Sequence, residues 1–438
     1  MAEAEKFDAI VVGAGPAGAA AAATMARAGL SVVLIERGEY PGAKNVMGGV
    51  MYGRMVADVV PEFWAQDPPV ERVIVEERVW LATDDGAVSI GHKSPQMAHH
   101  ADGCPNAFTV LRARWDRWFA ARAEEAGAFL VPATTVEDVI WRDGRVVGVR
   151  TGREEGELYA DAVVICDGVN SFLAQRARLQ DRPIEPHHLA LGVKEVIGLP
   201  PEVIEARFNL ESGQGATIEI YGAPTQGMSG YGFVYTNRES LSVGVGVLVS
   251  HLMKTRRTPY DLLEQMKRHP LVRPLIAGGE TLEYSAHAIP EGGYDAMPRL
   301  YGDGVLIAGD AAMMINGLHR EGSNLAIAAG RMAGETVIEA KARGDFSART
   351  LGLYETRLAE SFVLQDLKKY RHLPDLADRR PDLFQIYPEL ANLAAHEMLT
   401  VDGIPKREKQ RRIWKTITRH RRPWQMLQDI YQTWKAIR

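Results

Sequence analysis

Apolar and polar positions along the chain follow three successive patterns. The first opens at Phe7–Val12 (FDAIVV), a short β-branched run that predicts a buried strand. Gly13–Gly18 (GAGPAG) predicts a turn. Ala19–Ala28 predicts a helix halted by Gly29, and Ser31–Ile35 predicts the next buried strand, ending at Glu36. Strand, turn, helix and strand make one βαβ unit of a parallel sheet. Ala162–Ile165 runs into Cys166-Asp167-Gly168, and Gly304–Ala308 runs into Gly309-Asp310, so two further buried strands each end on an Asp turn. Arg112–Ala126 predicts a helix with Trp115, Trp118 and Phe119 on one face, and Ser323–Ala340 a long Ala-rich helix.

The second pattern lies between about Pro186 and Leu282. Leu189–Ile197, Ala216–Tyr221, Tyr231–Thr236 and Ser240–Val249 predict strands with Gly and Pro between them, and Pro259–Arg268 is the one helix that fits. This predicts an antiparallel sheet inserted into the parallel one. The third pattern, toward the C-terminus, is helical and increasingly basic. The expected fold class is α/β, with residues 1–75, 101–185 and 283–345 forming one discontinuous domain. Residues 76–100 and 186–282 would form the antiparallel-sheet domain, and 346–438 a helical region.

At 438 residues the chain is too long for one ordinary core. Its content of 46% hydrophobic and 24% charged residues is that of a globular protein. A net charge of −5 excludes nucleic-acid binding by bulk charge. Two cysteines, Cys104 and Cys166, cannot build a four-thiolate iron–sulfur or zinc site, so no metal site is expected. They form neither a Cys-x-x-Cys pair nor a disulfide framework, which is the usage of an intracellular protein. The uncharged run Ala9–Ala26 is rich in Ala and Gly and contains Pro16, so it reads neither as a membrane span nor, with its acidic flank, as a signal peptide.

Gly13-x-Gly15-x-x-Gly18 is the motif that carries chemistry. Gly13 permits the tight turn, Gly15 lets backbone approach a pyrophosphate, and Gly18 lets helix and strand pack closely. The intervening Pro16 and Ala17 open a helix whose free N–H groups attract phosphate. Glu36, 18 residues after Gly18, can accept from ribose hydroxyls. Strand, helix and acid in place together point to an adenine dinucleotide rather than a structural glycine turn. The later Asp turns select FAD over NAD. A carboxylate at Asp167-Gly168 or Gly309-Asp310 can bind ribityl hydroxyls, and the helix opening at Gly322-Ser323-Asn324 can aim its positive end at a flavin ring. On local pattern alone Asp310 also reads, with less weight, as a helix N-cap. No second fingerprint exists: Gly244-Val245-Gly246 lacks a third glycine and a helix after it.

GAGPAG, ICDGVNS and GDAA in this order resemble glutathione-reductase-type flavoproteins of the hydroxylase and geranylgeranyl-reductase branch. PGAKNVMGGVMY (41–52), LRARWDRWFA (111–120), LGVKEVIGLP (191–200), IPEGGY (289–294) and YPELAN (387–392) narrow the resemblance, across essentially the whole chain, to the FixC family. That family is related to electron-transfer-flavoprotein:quinone oxidoreductases. The resemblance implies a glutathione-reductase-type FAD domain, with Arg37 near the adenosine, Arg112 near the ribityl or pyrophosphate, and Val136 against the adenine. Lys44, Asn45, Gly48 and Gly49 would line the flavin ring. One departure is that Met313-Met314 follow GDAA where many relatives have glycine.

It further implies an electron relay that accepts electrons from an electron-transfer-flavoprotein-like FixA/FixB heterodimer. With a separate ferredoxin-like FixX subunit, the relay passes them to a membrane quinone, as part of a bifurcating complex. The missing thiolates fit that division of labour. Gly227–Phe233 and Met313–Leu318 are candidate routes to the ring, and His287 and His319 candidate proton donors. Two other functions stay open: a prenyl reductase or aromatic hydroxylase, and a scaffold subunit that keeps FAD for structure.

The C-terminal segment has its own signature. Trp424, Leu427, Ile430, Tyr431, Trp434 and Ile437 share one helical face. Residues 405–438 hold eleven Lys/Arg and two acids, a net of +9, so the remaining 404 residues carry −5 − 9 = −14. A basic helix with Trp and Tyr suits an anionic membrane surface, which would make the protein peripheral on the cytoplasmic side. It equally suits an acidic protein partner, or packing on its own domain with Lys406, Arg407, Lys409, Arg411, Arg412, Lys415, Arg419, Arg421 and Arg422 solvated.

Overall fold

The computed structural model describes residues 6–45, 49–98 and 103–438. They divide into two compact units, one gathering the described parts of 1–71, 99–185 and 288–369, the other those of 72–98, 186–287 and 370–438.

The first unit is built on a mainly parallel sheet. Lys6–Val12 lies at its centre, between Val32–Ile35 and Glu157–Ile165. Phe129–Val131 extends one side and Val305–Ile307 the other, all parallel. Tyr301–Gly302 and the hairpin Val136–Arg142/Arg145–Thr151 add antiparallel pairings. The central strands are apolar on both faces because helices cover them. Register fixes the function of this sheet: Val12 pairs Ile35 and Ile165, and Ile165 pairs Ile307. Gly13, Glu36, Asp167 and Gly309-Asp310 therefore follow strands that end at one edge, where open α/β sheets bind ligands.

The first helix spans Pro16–Arg27, starting three residues before the expected Ala19, because Pro16 at its first turn needs no N–H partner. Ser323–Arg343 packs on it so closely that a Cβ at Gly330 would collide with the Ala17 carbonyl. Arg112–Glu125 buries Trp115 and Phe119, with Trp118 half-buried beside them.

The second unit holds the sheet Glu280–Pro290, Leu189–Gly198, Ser240–Leu248, Gly230–Thr236, Gln214–Gly222 and Val70–Ala82, in that order, with Ala87–Lys93 beside the last. Two expectations need correction. Gln214–Gly222 pairs Val70–Ala82 in parallel. Hairpin neighbours must run antiparallel, whereas partners this far apart in sequence are not so constrained. Helices also form at Pro201–Phe208, Val249–Thr255 and Arg273–Ile276. They are too short to impose a period on the sequence. Gly244 and Gly246 lie inside a strand as expected. Among the described residues no helix is long and apolar enough to cross a membrane.

Candidate functional site

Three glycines and one acid shape the edge of the first sheet. Gly13 has φ +98°, and a Cβ there would strike the Cys166 carbonyl; one at Gly18 would strike the Gly13 carbonyl. At Gly15 a Cβ would meet only Asn45 Nδ2, at 3.9 Å, so this glycine borders space rather than protein. The helix that follows has no side chain capping its N-terminus. Glu36 is buried. Its Oε2 accepts from the Ala14 amide at 3.0 Å and its Oε1 from the Gly38 amide at 2.6 Å, which fixes the carboxylate beside the glycine turn. Arg37 and Lys44 are exposed, and Val136 is half-buried at the start of its strand.

Behind this turn, Arg112 donates through Nε and Nη2 to both oxygens of Asp116, each at 2.7 Å, one helical turn away. Asn45 also donates to Asp116. Burial works against the Arg112 charge, yet Asp116, and Asp310 beyond it, hold the guanidinium above its ordinary pKa. Sequence reasoning passed over Asp116. Its signal was the i, i+4 spacing to Arg112. Gly49 has φ +107° and its carbonyl accepts from Val110 at 2.7 Å. Gly48 lies outside the described residues.

The two later Asp turns do different work. Asp167 accepts from Ser171 Oγ at 2.8 Å and the Leu173 amide at 3.4 Å, holding the short helix Phe172–Arg176. Burial nevertheless pushes its carboxyl above the usual range. Gly168 (φ +80°) has open space where a side chain would stand. Asp310 lies inside a 3-10 turn, Gly309–Ala312, rather than at a helix N-cap. Burial raises its pKa and the Arg112 charge opposes this. Glu291, inside IPEGG, was not assigned a role from sequence. Burial, then the charge of Asp310, pushes its carboxyl up to about 7. Gly322 precedes the helix Ser323–Arg343 without a side-chain cap, and Ser323 Oγ donates to the Val50 carbonyl at 3.3 Å. The Oδ1 of Asn324, in that helix's first turn, is buried with no hydrogen-bond partner. His319 is exposed and His287 half-buried. Met313 and Met314 are buried, as are Met228 and Ser229, whereas Leu318 is exposed.

An uncapped helix N-terminus, room at Gly15, a fixed carboxylate one strand away and an orphaned buried amide oxygen fit a dinucleotide laid along this edge. Residues 8–171 match the family of FAD dependent oxidoreductases, 189–289 the ubiquinone-binding domain of ETF-QO, and 373–438 the ETF-QO/FixC family C-terminal domain. FixC of Azorhizobium caulinodans is 46% identical over 99% of both chains, and FixC of Bradyrhizobium diazoefficiens 47% over the same share. The chain belongs to the FixC family. A further relative, 42% identical over 93% of this chain and 94% of its own, is a probable electron transfer flavoprotein-quinone oxidoreductase of Escherichia coli. Among solved structures, a geranylgeranyl bacteriochlorophyll reductase-like protein of Thermoplasma acidophilum superposes with TM-score 0.72 at 20% identity, covering 95% of this chain and 96% of its own. A flavin-dependent brominase does so with TM-score 0.64 at 18% identity, covering 90% and 92%. These structures share the fold alone.

This FixC-family chain is thus a FAD-dependent oxidoreductase of the ETF-QO type, with a quinone-binding domain. FAD supplies the capacity to store one or two electrons. The protein's part is to bind the cofactor, exclude water and set the local charge.

Proposed function

We propose that the protein relays electrons from an electron-transfer-flavoprotein-like FixA/FixB heterodimer to a membrane quinone, with a ferredoxin-like FixX subunit supplying an iron–sulfur cluster, in a bifurcating complex. FAD lies along the sheet edge, its pyrophosphate at Gly13, Gly15, Pro16, Ala17 and Gly18. Glu36 and Arg37 hold its ribose, Val136 faces its adenine, and Arg112, Asp167, Gly168, Gly309 and Asp310 lie along the ribityl and pyrophosphate. Lys44, Asn45, Gly48 and Gly49, with Gly322, Ser323 and Asn324, surround the ring. The observation that carries this function is the joint presence in one chain of the FAD edge and the ubiquinone-binding match over 189–289. The two buried cysteines, Cys104 and Cys166, are too few to hold a four-thiolate cluster.

The C-terminal helix supports a membrane-surface location. On Pro423–Ile437, Asp429 faces its own unit and is 3% exposed, whereas Leu427 and Ile430 are 68% and 64% exposed, with Trp424, Tyr431 and Trp434 also open. The apolar face predicted from spacing therefore points outward, and Arg407, Arg411, Lys415 and Arg419 on the preceding helix are exposed cations. Other members of the expected cationic stretch are engaged by acids, Arg412 with Glu408 at 2.6 Å among them. Lys409 is buried against Asp402 at 2.8 Å, and Arg421 is paired with Asp429. Exposed aromatic and aliphatic side chains beside exposed positive charge match an anionic lipid surface.

Anaerobic mixing with the reduced heterodimer and a short-chain quinone, followed by flavin absorbance, tests the relay. The flavin is expected to bleach and then to recover as quinone is added. A flavin that the heterodimer leaves oxidised rejects the relay and favours the scaffold role.

A further inference from the structure

One buried carboxylate behind the glycine turn ties together two segments of the cofactor edge. Asp116 lies on the helix Arg112–Glu125 and is 1% exposed. Arg112 Nε donates to its Oδ1 and Arg112 Nη2 to its Oδ2, each at 2.7 Å. Such a two-point grip fixes the plane of a guanidinium as well as its distance. Asn45 Nδ2 donates to the same Oδ2, from a loop 71 residues earlier in the chain. A carboxylate only accepts, so it can take all three donors, whereas an amide would turn an NH2 toward one of them.

That loop is fitted to the helix. Gly42 has φ +93°, and a Cβ there would stand 2.5 Å from the Arg112 carbonyl oxygen and 3.0 Å from Asp116 Cβ. Arg117 places its guanidinium over the Tyr40 ring, 4.0 Å from the centroid. The Ala43 and Asn45 amides close turns onto the Tyr40 and Gly42 carbonyls, each at 3.1 Å. From this platform Asn45 Nδ2 comes within 3.9 Å of where Gly15 would carry a Cβ, so Asn45 spans from Asp116 to the glycine turn. Helix stability does not explain the ion pair. Arg112 is the first residue of its helix, where the positive end disfavours a cation, and Arg before Asp is the weaker order at i, i+4. The Arg112 side chain is 11% exposed, and a cation so buried needs an anion close by.

We infer that Asp116 is a positioning residue for the cofactor: its carboxylate sets where the Arg112 guanidinium and the Asn45 amide stand at the sheet edge, and offsets the Arg112 charge there. The inference rests on FAD lying along this edge with Arg112 and Asn45 beside it. Asp116 itself changes no bond. It acts through two donors, one on its own helix and one on the loop. Removing its charge while keeping its shape therefore disturbs both donors at once and leaves the Arg112 charge less balanced beside the cofactor.

Two titrations on wild type, Asp116→Asn and Asp116→Glu test it. Flavin-free protein is titrated with FAD, and protein saturated with FAD is titrated potentiometrically with dithionite. Asp116→Asn is expected to bind FAD about tenfold more weakly or worse, because both donors lose their fixed positions. The Arg112 charge, no longer offset by Asp116, should favour reduced flavin about tenfold, which raises the midpoint potential by about 30 mV for a two-electron couple. Wild-type affinity or a wild-type potential overturns the inference, even where the unfolding temperature falls, since that pattern belongs to a purely structural ion pair. Asp116→Glu keeps the charge on a longer arm and decides the matter if Asp116→Asn does not fold. It should keep the wild-type potential yet weaken FAD binding about threefold or more, since the donors are displaced. Wild-type affinity in Asp116→Glu overturns the positioning role. Both titrations use FAD and dithionite alone, so a heterodimer that leaves the flavin oxidised rejects the relay without bearing on Asp116.

Discussion

Gly18 has no room for even one more carbon atom. Its missing Cβ would overlap the Gly13 carbonyl and lie 3.2 Å from Val11 Cγ1, both part of the strand–turn–helix that presents the cofactor edge. Gly18→Ala must therefore move backbone. It is expected to cost about 3 kcal/mol or more and to abolish the yellow colour of the purified protein, read by unfolding and by absorbance. Wild-type stability with full flavin content would contradict this. The glycine fingerprint, Glu36 and the Asp turns were legible in sequence because each is a local rule tied to a strand end. Asp116 and Glu291 were harder to find. A carboxylate gains its role from the partners around it, and although Arg112 lies one turn from Asp116, Asn45 and, for Glu291, Asp310 come from distant segments. Met313 shows the converse. Its φ of 59° explains why glycine suits the position after GDAA, while its burial shows what the methionine adds in packing.

Among the elements, the C-terminal helix is the clearest case of one whose face, but not its direction, was written in the spacing. Asp429 decides the direction. It accepts from Arg421 Nε and Nη2 at 2.6 Å, from Arg380 Nη2 at 2.8 Å and from Tyr387 OH at 2.8 Å. Burial opposes its charge, but the two guanidinium groups and the phenol draw its carboxyl down to about 2. A depressed carboxyl stabilises above its unfolded value and loses that contribution as pH falls toward its folded one. Asp429→Asn should therefore loosen this helix by about 2 kcal/mol at neutral pH, with the difference from wild type vanishing as pH falls through about 4 toward 2. Hydrogen exchange over 423–437 measures it. Unchanged protection there would show that apolar packing, not the ion cluster, holds the helix. The short helices of the second unit and the parallel pairing of Gln214–Gly222 with Val70–Ala82 were illegible for a different reason. Neither leaves a period in the sequence, and only the arrival of the strand Val70–Ala82 sets the pairing direction.

Over the whole molecule, charge is divided rather than balanced: +9 in residues 405–438 against −14 in the rest. Association with anionic vesicles should therefore depend on the tail and weaken with salt. Replacing the exposed Leu427 and Ile430 by Gln should lower vesicle cosedimentation about tenfold or more, since each loses apolar area that would enter the lipid, while leaving the fold and flavin content unchanged. Undiminished cosedimentation would exclude this face as the anchor.

What the sequence by itself determined is the nucleotide-binding edge and the membership of the family. Both depend on residues whose constraints are local: a turn that only glycine can make, an acid at the end of a strand, and motifs read in chain order. Tertiary structure alone decided that the C-terminal apolar face points outward. It also decided that Asn45 joins Arg112 on Asp116, and that Glu291 comes to lie within the field of Asp310. Burial and partner charge are properties of neighbours brought together by folding, and no spacing along the chain encodes them.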